Sequence, residues 1–103
     1  MKVELKGQVY EFSFNTVWGA LYTYEDFVGE KLPFDPKRTL CLHILFYCIL
    51  VRVNEGFNLT FDEFVECLND LKLATSMKEY YFKRMEVLSQ GVEEEPLDDK
   101  KKV

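Results

Sequence analysis

His43 is the only histidine in the chain, and it stands two residues from Cys41. A thiol and an imidazole together are the raw material of a nucleophilic pair, or of two legs of a metal site. The spacing works against both. Two residues along a helix turn side chains to nearly opposite faces, and a nucleophilic cysteine needs its base in contact and a third group to orient that base. Cys41 and Cys48 do share a helical face, two turns apart, yet no third or fourth ligand stands near them in sequence. Cys41, Cys48 and Cys67 are therefore expected to be small core residues, and His43 a satisfied or partly exposed polar group. No glycine-rich phosphate loop, zinc spacing or pair of catalytic carboxylates occurs. The sequence predicts a protein that is not an enzyme and holds no metal or cofactor.

A second arrangement with chemical meaning is RVNEGFNLTFDEFVECL, which resembles the second half of a calcium-binding EF-hand. Glu63 falls at the final bidentate position, Leu59 at the apolar eighth position, and Phe64 begins the exiting helix. The other ligands are missing. Arg52 occupies the first position, where its cation repels the ion; Asn54 is third, Gly56 fifth, and Phe57 stands where the turn requires glycine. Thr60-Phe61-Asp62-Glu63 is by itself a helix capping box, which accounts for the Thr-x-x-Glu spacing without calcium. A degenerate EF-hand-like regulatory or adaptor module is the alternative function this stretch leaves open.

The chain that must position these residues is 103 residues long, enough for one modest core. Hydrophobic residues make up 48% and aromatics 16%, which places it among folded proteins. With 18 acidic against 13 basic residues the formal charge is -5, so a nucleic-acid backbone is repelled and no nucleic-acid partner is expected. Lys2, Glu4, Lys6 and Glu11 interrupt the apolar residues at the N-terminus, so no signal peptide is expected. Leu40 to Val51 is nearly all apolar but too short to cross a bilayer. Three cysteines without repeated spacing suit reduced thiols in a cytoplasm. The expectation is a soluble cytoplasmic protein with no membrane partner.

The expected fold is α+β and mostly α, an N-terminal β-hairpin packed on a small bundle of about four helices. Residues 1–14 alternate, and a two-residue turn at Lys6-Gly7 sets Val3 opposite Tyr10, Met1 opposite Phe12 and Lys2 opposite Glu11. Met1, Val3, Leu5, Tyr10, Phe12 and Phe14 then form an apolar face, and Val9 is left on the charged side. A lone hairpin is marginal in water, so helices must cover that face. Asn15 or Thr16 caps a helix to about Val28, stopped by Gly29, with Val17, Leu21, Tyr24 and Val28 on one stripe.

Asp35-Pro36 opens the next helix, Asp35 as cap and Pro36 in the first turn, and it runs to about Asn54. Leu40, Leu42, Ile44, Leu45, Phe46, Ile49, Leu50 and Val51 cover most of its circumference, which makes it the central helix. Lys37 and Arg38 in its first turn have the wrong sign for the helix dipole, and contact with an acidic partner or carboxylate is one explanation. The capping box at Thr60, with Leu59 and Phe64 as a hydrophobic staple, starts a third helix with Phe61, Phe64, Val65, Leu68 and Leu71 as its buried stripe. A second box, Ser76-Met77-Lys78-Glu79, starts a fourth that ends near Gln90-Gly91. The domain is thus residues 1–91, and residues 92–103, with charge runs and little to bury, form a disordered tail.

Aromatic crowding singles out a surface. At about 100° per residue, Tyr80, Tyr81 and Phe82 spread over roughly 200°, while Met77, Tyr81, Met85 and Leu88 already define one buried stripe. Tyr80 and Phe82 must flank it. Trp18 and Tyr22, four apart on the first helix, make a separate patch. Aromatics beside adaptable methionines suit protein binding, so Trp18, Tyr22, Tyr80 and Phe82 are the candidate partner-binding residues. Packing under the hairpin for the first pair, and a thick bundle or a homodimer for the second, would meet the same crowding.

In order and spacing, residues 1–70 resemble the tail assembly chaperones of long-tailed bacteriophages. The pieces are a short hairpin, VELKGQVYEFSF; a helix ending in a Tyr-acidic-acidic-apolar-Gly run, YEDFVGEKL; a helix after an Asp-Pro start, FDPKRTLCLHILFYCILVRV; and a Leu-Thr-x-x-Glu helix, LTFDEFVECLND. The resemblance implies a protein of the bacterial host cytoplasm, without catalytic residues. It would bind unpolymerised tail-tube subunits and the tape-measure protein and hold them soluble until the tube assembles. Asn54-Glu55-Gly56-Phe57-Asn58 departs from the Asn-Pro-type loop frequent in the family, and the Tyr/Phe-rich last helix does not align with it. Lys100-Lys101-Lys102 reads as a solvated basic end after an acidic stretch; many such chaperones are made in two lengths by ribosomal frameshifting, and under the resemblance three adenine-rich lysine codons in a row can supply the slippery run that this requires.

Overall fold

Lys6 and Gly7 both take positive φ, 50° and 81°, the left-handed pair that lets a two-residue turn follow the twist of its strands. That turn joins β1 (Lys2–Leu5) to β2 (Gln8–Glu11) as an antiparallel pair, with Lys2 opposite Glu11 and Val3 opposite Tyr10. Beyond the ladder, the Phe12 N–H donates to Met1 O at 2.8 Å. Side chains alternate accordingly, with Val3, Leu5 and Phe12 buried and Val9 65% exposed on the opposite face, where Lys2 Nζ lies 3.1 Å from Glu11. The computed structural model describes residues 1–13 and 17–94, without the side chains of residues 17, 18 and 89–94. Phe14, the Asn15 or Thr16 cap and residues 95–103 of the charged tail lie outside the described residues.

Helix α1 (Val17–Val28) ends where Gly29, at φ 69°, opens a 3-10 turn over Gly29–Lys31. Ala20 and Tyr24 face the core from α1, with Leu21 and Val28 half-buried beside them. The Tyr24 hydroxyl donates to Leu32 O at 2.9 Å, so the ring is buried without an orphaned polar atom. Helix α2 (Thr39–Val53) is the centre of the molecule: Cys41, Leu42, Ile44, Leu45, Phe46, Cys48, Ile49 and Leu50 are all buried. Each such side chain of Leu, Ile or Phe size contributes about 1.5–3 kcal/mol. Helices α3 (Phe61–Cys67) and α4 (Leu71–Glu94) complete the bundle, and Phe64, Leu68, Met77 and Tyr81 join the same core. The fold is therefore a β-hairpin packed on four helices.

Asn54, the residue after α2, ties the hairpin to the bundle. Its Oδ1 accepts from the Glu11 N–H at 2.9 Å, and its Nδ2 donates to Glu11 O at 2.8 Å and to Leu50 O at 3.0 Å. The capping box at the start of α3 is complete, with the Glu63 N–H donating to Thr60 Oγ1 at 3.1 Å and the Thr60 N–H to Glu63 Oε1 at 2.8 Å.

Two helix starts differ from the sequence expectation. Asp35 accepts from the Lys37 N–H on its side chain and from the Arg38 N–H on its carbonyl, closing a turn, and α2 begins only at Thr39 with Arg38 extended ahead of it. Asp-Pro fits the first two places of a β-turn as well as a helix start, and here the turn takes it, so Lys37 and Arg38 precede the first helical turn. Ser76 starts nothing: α4 begins at Leu71, where Asp70 Oδ1 accepts from the N–H groups of Lys72 at 3.1 Å and Leu73 at 3.4 Å. At its other end α4 continues past Gln90-Gly91 to Glu94. The buried stripes are also narrower than expected. Leu40, Val51, Val65, Leu71 and Leu88 are exposed; Leu40 and Val51, three whole turns apart, share one azimuth of α2 that the bundle leaves open.

Candidate partner-binding surface

The aromatic residues singled out by their spacing are divided by the fold. Tyr22 projects from α1 and is 64% exposed; Phe82 projects from α4, 46% exposed, with its ring edge-on to Tyr81 at 5.1 Å. Tyr80, two residues before Phe82, turns the other way and is half-buried with its ring 5.7 Å from Phe12. Trp18 belongs to α1, but its side chain is outside the described residues. Tyr22 makes no ring contact with Tyr80 or Phe82 among the described residues, so the two helices present separate apolar points.

A second aromatic feature has no counterpart in the sequence patterns. Phe27, half exposed on α1, lies 5.6 Å from Tyr47 and 6.0 Å from Phe61. Tyr47 in turn lies 5.5 Å from Phe61 and 5.8 Å from Phe57, and Phe57 is 5.0 Å from Tyr10. These rings form a chain from α1 across α2 and α3 to the hairpin, each pair contributing about 0.5–1.5 kcal/mol beyond its buried area. The Tyr47 hydroxyl donates to Leu59 O at 2.7 Å, and burial raises its pKa. One residue comes from each of five segments, so no periodicity within a window connects them. In sequence Phe27 stands out only as the first of the two apolar residues before Gly29 in the YEDFVG run.

The residues that resemble a calcium loop are engaged elsewhere. Arg52 Nη1 donates to Thr23 Oγ1 at 3.3 Å, and Asn54 holds the hairpin. Glu63 Oε1 is bound by the Thr60 N–H, and that bond keeps the carboxyl below the usual glutamate range. Cys41 and Cys48 are buried and Cys67 half-buried, all as free thiols. Burial pushes the Cys48 thiol up to about 12, which keeps it protonated at neutral pH and unreactive as a nucleophile. Among the described residues no three His, Cys, Asp or Glu side chains gather closely enough to hold a metal ion. No helix among them is long and apolar enough to cross a membrane. Set against models of known protein families, curated proteins and solved structures, the chain matches none.

Proposed function

We propose that this protein is a tail assembly chaperone of a long-tailed bacteriophage or prophage, a non-catalytic protein of the host cytoplasm that binds unpolymerised tail-tube subunits and the tape-measure protein. The observation that carries the proposal is the exposure of large aromatic rings, Tyr22 on α1 and Phe82 on α4, on a body with a formal charge of -5. A protein that keeps polymerising subunits apart must cover their sticky surface reversibly. That requires apolar side chains in contact with solvent, on a body whose charge keeps it dispersed. The order of elements supports the same reading: hairpin, helix stopped at a glycine, apolar central helix, then a short helix with a capping box.

Co-expression with the tube subunit encoded in the same genome tests this. The expected result is that the subunit stays soluble and co-elutes with this chain. A subunit that polymerises or precipitates equally with and without it would overturn the proposal. The neighbouring genes give an independent check, a tail-tube gene upstream and a very long helical reading frame downstream being the expected arrangement. Calcium titration by calorimetry separates the EF-hand-like alternative, and heats equal to those of buffer are expected.

A further inference from the structure

We propose that the cleft between the first half of α2 and the N-terminal half of α4 is a carboxylate-binding site that takes one acidic side chain, or the free C-terminus, of a protein partner. The cleft measures about 180 Å³. Pockets for cofactors and drug-sized ligands run to roughly 300–1,000 Å³, so this one is too small for a nucleotide but has room for a single side chain. Its walls divide by chemistry. Leu42 and Phe46 of α2 with Ala74 of α4 are apolar, while Thr39 and His43 of α2 and Thr75 and Lys78 of α4 bring donors to the same space.

These four polar side chains make no hydrogen bond or ion pair among the described residues. His43 is half-buried, so its ring is left to the cleft and to solvent for hydrogen-bond partners. The charged group acting on His43 is Lys78, from the helix packed across the cleft, and the ring 6.3 Å away on its own helix is Phe46. Burial first, and Lys78 second, hold the imidazole below its ordinary range. The site therefore presents one ammonium, one neutral imidazole and two hydroxyls, and Lys37 and Arg38 stand exposed just ahead of Thr39. This gathering of donors stands out on a chain whose formal charge is -5. A singly charged carboxylate on a short aliphatic stem satisfies both walls. A phosphate, doubly charged and without an apolar part, would leave Leu42, Phe46 and Ala74 uncovered. The inference does not rest on the tail-assembly reading.

A single histidine makes the test direct, because its imidazole gives one set of NMR signals in the labelled full chain. The probes are N-acetylglutamate α-amide for an acidic side chain, N-acetyl-alanyl-alanine for a chain terminus, and N-acetylglutamine amide as the neutral control. The expected result is a saturable movement of the His43 signals by at least one carboxylate. The titration midpoint should rise by about half a pH unit, which is about threefold tighter binding to the protonated form. Whichever carboxylate binds more tightly identifies the source. Lys78→Gln, at an exposed position, should weaken the response several-fold while the protein stays folded. No saturable movement by either carboxylate, an equal movement by the neutral amide, or an unchanged response in Lys78→Gln would overturn the proposal.

Discussion

Asn54 carries more of the fold than its place in the sequence announces. Its amide satisfies both the N–H and the C=O of Glu11, a residue 43 positions earlier. No local pattern encodes a bond across that distance, and in sequence Asn54 appears only as the third place of a broken calcium loop. Asn54→Ala should lower stability by about 1–3 kcal/mol in urea unfolding, since partly buried backbone groups lose their partners. Asn54→Asp should not restore it, because a carboxylate cannot donate to the carbonyls of Glu11 and Leu50. The cysteines, by contrast, were legible as apolar residues: Cys41 and Cys48 sit inside the central run and are 0% and 1% exposed. Alkylation of the native protein should label Cys67 first. Cys48, whose thiol burial pushes up to about 12, should react far more slowly than Cys67, because little thiolate forms at neutral pH and the side chain is inaccessible. Mass spectrometry would show one label under native conditions and three in denaturant.

At the scale of elements, legibility follows how many independent signals agree. The hairpin register is fixed by a two-residue turn and a period of two, either of which would be spoiled by a one-residue slip. The start of α3 has reciprocal partners, Thr60 and Glu63, only three residues apart. The start of α4 is different, because Asp70 has Leu73 rather than Glu or Gln three residues on, so the Ser76…Glu79 spacing looks like the stronger box. The two assignments predict opposite mutants. Asp70→Ala should cost about 0.5–2 kcal/mol as a lost cap, whereas Ser76→Ala, now inside a helix, should be neutral or slightly stabilising because alanine is the better helix former. The same logic gives a pH signature at α3. The Glu63 carboxyl is held below its unfolded value, first by the Thr60 N–H, so its contribution is present above the unfolded pKa and is lost as pH falls through the folded one. Glu63→Gln can accept the same bond without a charge. Its acid unfolding curve should therefore lose part of the slope seen in the parent below the ordinary glutamate range.

Over its described residues the molecule extends 48 Å along its longest axis and 29 and 26 Å across. Its 24-residue α4 alone would span about 36 Å. Among the described side chains of α4, the buried ones, Met77 and Tyr81, fall in its first half, and Phe82, Val87 and Leu88 are exposed further along. Which rings end outside is decided by how the helices cross, a property of the assembled bundle that no sequence window contains; this is why Tyr80 and Phe82 look equivalent in sequence and are not. Tyr80→Ala should cost about 1–3 kcal/mol, because it removes a half-buried ring tilted against Phe12. Phe82→Ser and Tyr22→Ser should lower the melting temperature by a few degrees at most, since about 1 kcal/mol corresponds to roughly 4–8 °C in a domain of this size. Binding should sort the same variants in the opposite order. If the exposed rings hold the tube subunit, Phe82→Ser and Tyr22→Ser should each weaken its capture by about tenfold or more, as truncated hot spots do, while Tyr80→Ala weakens it only by the fraction of protein it unfolds. Capture unchanged by both serine variants would show that these rings are ordinary surface and move the search for the binding face to the chain of rings from Phe27 through Tyr47 and Phe61.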